Sequence, residues 1–203
     1  RGGVRGGEAV FRGLVVEVSL SWQLGDVAAF LSGPCVGHSR LGGRVHSLIA
    51  AAEMQDWLPH TRAAAPSLLM LADGDHGYGN GMTVHRTVRA YGRLGAAAVL
   101  IEDKITPRAL TSAGKPTLPR EEMRMKLRAA VEAAKESGIL VMARTDCRPT
   151  LGIDEAVARI GMDVAEGGAT LFLHSPAAED EVRRAVERRA GRPRWPRPPT
   201  RAQ

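Results

Sequence analysis

The sequence predicts an α/β fold, a (β/α)8 barrel of the TIM type that is incomplete, with about five or six βα units recognisable. Two observations lead there. From Pro66 onward, short aliphatic runs alternate with longer Ala/Glu/Arg-rich segments of helical spacing, the pattern of a parallel sheet with crossover helices. Polar residues also gather at the C-terminal ends of four successive runs, and side chains from several strand ends converge when a sheet closes.

Taken in order, the first 65 residues carry the weakest pattern: Leu14 to Leu20 reads as a strand and Arg44 to Met54 as a helix, between Gly-rich stretches. Four strands follow at Leu68–Asp73 (LLMLAD), Ala98–Glu102 (AVLIE), Ile139–Arg144 (ILVMAR) and Thr170–His174 (TLFLH). Each is a nearly continuous apolar run, as a strand buried on both faces requires. Val84–Leu94, Arg120–Ser137, Ile153–Glu166 and Glu179–Ala190 have helical spacing. Gly95, Gly138 and Gly167–Gly168 stand just past three of these, where a left-handed residue closes a helix. Pro119 with Glu121 and Glu122 marks a helix start whose negative charges suit the N-terminal dipole.

A chain of 203 residues with 44% hydrophobic content is one domain's worth. Residues 1–32 form a poorly defined N-terminal segment, 33–190 the partial barrel, and 191–203 a basic Pro/Arg-rich tail read as disordered. Much of the arginine behind the +6 net charge lies at the ends, so no nucleic-acid partner is expected. No apolar run reaches the roughly 18 residues of a membrane helix, and Arg1–Gly7 lacks a signal peptide's apolar core. Cys35 and Cys147 have neither disulfide-framework nor zinc spacing, which fits a reducing, cytoplasmic setting.

The strand ends carry the chemistry. Asp73 and Asp75 are two apart, so at a strand end both can face one cation, and Glu102 adds a hard oxygen donor from the next strand. Three carboxylates at neighbouring strand ends suit Mg²⁺, or Mn²⁺, with room for water and substrate oxygens. Arg144 is placed to clamp a carboxylate or a developing oxyanion, and His174 to transfer a proton. Singly, each has a plain structural explanation: a turn, an ion-paired loop, a histidine at a strand end. Packing alone does not ask for polar groups at the same end of four strands.

On these residues the chain resembles the isocitrate lyase and phosphoenolpyruvate mutase superfamily. The carriers are Asp73–Asn80 (DGDHGYGN), Ile101–Lys104 (IEDK) with Pro107, Gly114–Met123 (GKPTLPREEM), Ala143–Asp146 (ARTD) and Gly152–Ala156 (GIDEA), in a match from roughly Pro66 to Ala190. The resemblance implies Mg²⁺ held directly or through water by Asp73, Asp75 and Glu102 against the carboxylate and 2-oxygen of a pyruvate-like group. It implies that Arg144 steadies the enolate charge and that the turn with Gly77 and Tyr78 contacts substrate. It also implies a small-residue segment whose backbone N–H groups hold the pyruvyl carboxylate, which Gly33–Val45 resembles faintly. Members are homo-oligomers that exchange a C-terminal helix. This chain ends after the sixth unit, so that exchange is not expected here.

The reaction implied is C–C cleavage or decarboxylation of a 2-oxo acid or 2-hydroxy dicarboxylate, since His76 and the ARTD strand resemble oxaloacetate decarboxylase and lyase-type members. Thr106 to Lys115 contains no Cys or His, unlike the acid/base loop of isocitrate and methylisocitrate lyases, so neither of those activities is expected. Lys104, Pro107–Arg108 and His174–Ser175 resemble phosphonopyruvate mutases and hydrolases, the alternative, although Leu110 stands where the mutase loop has Asn. A shortened homologue without activity is the second alternative, and a basic-tail binding module a third.

Overall fold

A computed structural model describes residues 19, 23, 25–42, 48–106, 115–168 and 170–190. In chain order the elements are β1 (Ala28–Leu31), α1 (Gly33–Leu41), α2 (Ala51–Ala64), β2 (Leu69–Asp73), α3 (Gly81–Arg93), β3 (Ala98–Glu102), α4 (Arg120–Ser137), β4 (Leu140–Thr145), α5 (Arg148–Ala165), β5 (Thr170–Leu173) and α6 (Glu179–Ala190). The five strands form one parallel sheet in sequence order, β1-β2-β3-β4-β5, curled as part of a TIM-type barrel. With sequential order and right-handed crossovers, the helices fall on one side of the sheet.

That side holds the core. Met70, Ala72, Val99, Ile101, Val141 and Ala143 alternate along three strands and pack with Trp57, Val84, Val88, Tyr91, Met123 and Leu127 from the helices. The intervening residues form the inner face. Phe30 lies in register with Leu71, and Arg144 with Phe172; Phe30 (43%) and Phe172 (42%) stay exposed, whereas Leu100 on the central strand is buried. Among the described residues, no helix is long and apolar enough to cross a membrane.

The four strands and four helices expected after Pro66 are present within a few residues. Gly95, Gly138 and Gly167 have the positive φ values their positions called for. Helix α5 starts earlier than expected, at Arg148, but breaks at Gly152 (φ 83°, ψ 173°), so its continuous part begins at Ile153. The sheet begins at Ala28, ahead of residue 33, and β1 pairs directly with β2. The helix expected from Arg44 begins at Ala51: Ala50 is extended and its N–H donates to Glu53 Oε2 (2.8 Å), which sets the start. Of the strand expected at 14–20 only Ser19 is described, with a helical backbone. Pro107, Arg108, Leu110 and the 191–203 tail lie outside the described residues.

Candidate functional site

The turn after β2 is shaped by close packing. A Cβ on Gly74 would lie 2.7 Å from the Leu100 carbonyl oxygen, so only glycine lets this loop cross β3. Asp75 (φ 49°) and Tyr78 (φ 59°) then adopt left-handed backbone, a strain of about 1–3 kcal/mol each that the surroundings must impose. Asp73 accepts from the Asp75 N–H (2.9 Å) and the Gly33 N–H (3.1 Å), tying the end of β1 to the acids. Burial, with Asp75 adding to it, raises the Asp73 carboxyl above its ordinary range against these bonds.

Asn80 closes the turn: its Oδ1 accepts from the N–H groups of Met82 (3.0 Å) and Thr83 (3.4 Å) as the N-cap of α3. Asn80→Ala is expected to cost about 1 kcal/mol, read as a fall of about 2–4 °C in Tm. An unchanged Tm would show that this turn is held by Gly74 and its neighbours alone.

Register places Asp73 beside Leu100 and Glu102 beside Arg144, so all three polar side chains project to the inner face. Lys104 joins two of the acids, with Nζ 3.3 Å from Asp75 Oδ1 and in close ion contact, outside hydrogen-bonding geometry, with Glu102 Oε1. Arg144 Nε lies 3.4 Å from the other Glu102 oxygen. Burial nevertheless pushes Glu102 up to about 8, against the pull of Lys104 and Arg144. Buried negative charge in this corner is incompletely offset by the chain's own cations.

Beyond Arg144 the contacts continue. Asp146, fully buried, accepts two bonds from Arg144 (2.8 and 2.9 Å) and one from Lys115 Nζ (2.9 Å). Against burial, which raises it, these hold Asp146 down at about 2. The His174 ring receives Arg144 Nη2 at Nδ1 (3.0 Å) and stands 2.6 Å from Lys115 Nζ at Nε2. The Arg144 guanidinium also sits over the Phe172 ring, 5.5 Å from its centroid.

Asp75, Glu102, Arg144 and His174 therefore belong to one connected cluster, with Asp73 at its β2 end. Gly77 and Tyr78 stand apart. Tyr78 packs against the helix-side core, and its hydroxyl is 3.3 Å from that of Tyr91, which donates to the Asp73 carbonyl (3.0 Å). Among the described residues, no three His, Cys, Asp or Glu side chains could enclose a metal ion by themselves.

Several members escaped the residue-by-residue reading. Asp103 accepts from Thr145 Oγ1 (2.7 Å), the Asp146 N–H (2.8 Å) and Arg159 Nη1 (3.1 Å) beneath the site. Arg159 also reaches the Leu118 carbonyl (2.8 Å) and Glu155, which pairs with Arg120. Asp103 stands in the IEDK motif, and strand alternation sends it away from Glu102. Lys115 and Gly33 stand in the segments 114–123 and 33–45 that carry the resemblance, but their partners are distant in the chain and had no signal.

The sequence profile described as phosphoenolpyruvate phosphomutase matches residues 35–193. The chain belongs to that family. This phosphomutase-family chain is 36% identical over 168 residues to the oxaloacetate decarboxylase of Paraburkholderia xenovorans (strain LB400), covering 82% of this chain and 56% of that protein. A crystal structure of 2,3-dimethylmalate lyase, a PEP mutase/isocitrate lyase superfamily member, aligns with TM-score 0.81 at 26% identity, over 94% of this chain and 69% of that one. Phosphonopyruvate hydrolase in complex with oxalate and Mg²⁺ aligns with TM-score 0.73 at 26% identity, over 85% and 59% respectively. The chain spans a little over half the length of the curated relatives it matches.

Proposed function

We propose that this site is a Mg²⁺-assisted carbon–carbon lyase or decarboxylase centre that acts on a 2-oxo acid or a 2-hydroxy dicarboxylate through the enolate of pyruvate. The observation that carries this reading is the rim of Asp73, Asp75 and Glu102 at adjoining strand ends, with Arg144 beside it. The donor set fits a hard divalent cation: all oxygen, with burial raising two of its carboxyls and, among the described residues, Lys104 and Arg144 nearby to offset them. Since three acids do not close around an ion unaided, Asp73, Asp75 and Glu102 would hold Mg²⁺ partly through water, which this ion's reluctance to dehydrate favours. When bound, the ion supplies a Lewis acid that lowers the cost of charge on the 2-oxygen.

The chain's own residues do the rest. Arg144, fixed by its two bonds to Asp146, presents a guanidinium of set orientation to a carboxylate or to enolate charge. His174, whose basicity burial lowers against the pull of Asp146, is held toward the neutral imidazole that suits proton exchange. Gly77 and Tyr78 hold the turn that aims Asp75, so their bearing on substrate runs through that carboxylate.

P–C bond chemistry is the second reading, favoured by the fold shared with the phosphonopyruvate hydrolase and by His174–Ser175 after β5. Pyruvate release from oxaloacetate and from phosphonopyruvate, each with Mg²⁺, separates the two. Release from oxaloacetate is expected, falling to the metal-catalysed background in Asp75→Ala. Release from phosphonopyruvate alone would move the assignment to P–C cleavage. Background rates with both would leave a homologue that keeps the acids without the activity.

A further inference from the structure

Lys115 has no role in the mechanism above, yet its place is well determined. The segment after it pairs back on the end of β3: the Ile105 N–H donates to the Pro116 carbonyl (3.0 Å), the Leu118 N–H to the Asp103 carbonyl (2.8 Å), and Lys104 and Thr117 form an antiparallel bridge. Thr150 Oγ1 reaches the Lys115 carbonyl (3.4 Å). This backbone delivers Nζ to the inner rim, 2.9 Å from Asp146 Oδ1 and 2.6 Å from His174 Nε2.

The hydrogen-bond inventory of His174 then decides more than its position. Arg144 can only donate, so Nδ1, 3.0 Å from Arg144 Nη2, is the acceptor, and a neutral His174 carries its proton on Nε2. That N–H faces the Lys115 nitrogen. An ammonium there would set N–H against N–H, whereas a bond needs a lone pair on one side. Forming that bond requires a proton to leave one of the two nitrogens, and both side chains are partly exposed to solvent, with which a proton can be exchanged. The charged groups facing it are Asp146, Arg144 and, further off, Lys104.

We infer that Lys115 and His174, seated on Asp146, form the proton-exchanging pair of this site and that Lys115 delivers a proton to C3 of the enolate. The inference rests on the function proposed above. For oxaloacetate, the C3–C4 bond breaks, its electron pair moves into the C2–C3 enolate, and C4 leaves as CO₂. The enolate then forms a C3–H bond with a proton from the loaded Lys115 ammonium, which Asp146 holds in place. The free amine reloads from water, so one proton is consumed per turnover, as the overall reaction requires.

The test is deuterium entry into the methyl group of pyruvate in D₂O with Mg²⁺, followed by NMR for the unmutated chain, Lys115→Met and Lys115→Arg. Melting with Mg²⁺ and oxalate runs in parallel. Arginine keeps the charge opposite Asp146 but is not deprotonated near neutral pH, so it cannot serve as the acid. Exchange is expected to fall at least about a hundredfold in both variants, with the oxalate-induced rise in Tm retained. His174→Asn is expected to shift the pH dependence of the remaining exchange. Unmutated rates in either Lys115 variant would overturn the inference, because Arg in place of Lys would then suffice and the role would be ion pairing. If the unmutated chain neither exchanges, nor releases pyruvate, nor responds to Mg²⁺ and oxalate, the proposed function falls first and this inference with it. Methyl exchange that survives in Lys115→Met, with pyruvate release and the oxalate response intact, removes the inference alone.

Discussion

Asp103→Ala is expected to lose about 3–5 kcal/mol, the scale for breaking a buried charge network by removing one partner. Asp103 is 1% exposed and accepts three bonds, from Thr145, from the backbone of Asp146 and from Arg159. Alanine leaves the Asp146 N–H without an acceptor and the buried Arg159 guanidinium with Glu155 and the Leu118 carbonyl only. Against a typical domain stability of about 5–15 kcal/mol, much of the folded population is at stake. Urea denaturation followed by two probes measures it. Asp103→Asn, which keeps one acceptor and the shape, is expected to lose less. A loss under about 1 kcal/mol for the alanine variant would mean that the network is incidental to stability.

Stability is also expected to fall as pH rises from about 4 to about 8, with Asp163 contributing alongside the similarly raised Glu102. Asp163 lies on α5, 2% exposed, and its Oδ1 has no hydrogen-bond partner among the described residues. Burial foremost, then the charge of Asp103, pushes its carboxyl up to about 8, opposed by Arg159. The folded chain therefore keeps the proton over a range in which the unfolded chain has released it. The associated stability is complete below the ordinary carboxylate pKa and is lost as pH climbs through the raised one, by on the order of a few kcal/mol. Asp163→Asn removes the ionisation but keeps the size, so its urea midpoint should change less between pH 5 and 8 than that of the unmutated chain. Parallel pH profiles for the two would assign the slope to another group.

The strands that sequence patterning found are those whose apolar runs are long and flanked by charge. β3 is buried along its whole length, and β2 and β4 end in Asp73 and in Arg144–Thr145. β1 escaped because Ala28–Leu31 is short, half alanine, and next to a helix that reads as a loop: α1 is Gly-Pro-Cys-Val-Gly-His-Ser-Arg-Leu, with two glycines and a proline. Asp73 and Glu102 end strands that the apolar runs reveal, whereas Asp75 stands past the end of β2 with left-handed backbone, so strand alternation does not account for its place. The cationic and backbone partners of the rim were not legible: Lys115 meets His174 across 59 positions and Gly33 meets Asp73 across 40. Arg159, between Glu155 and Asp163 on a helix, reads as an ordinary solvated face until packing turns it inward.

The outermost strands of the described sheet, β1 and β5, are hydrogen-bonded to a neighbour on one side only, and each leads directly into the site: β1 into Gly33, β5 into His174. Opening of a native protein is graded, with peripheral segments separating at lower free energy than the centre. Here the gradient runs across the candidate site. The acids on β2 and β3 and Arg144 on β4 are expected to share the persistence of the core, while the Gly33 amide and the His174 imidazole follow the strands expected to open at lower free energy. A small anion contacting both would act as a clasp on the margins of the sheet, slowing amide exchange there more than at its middle.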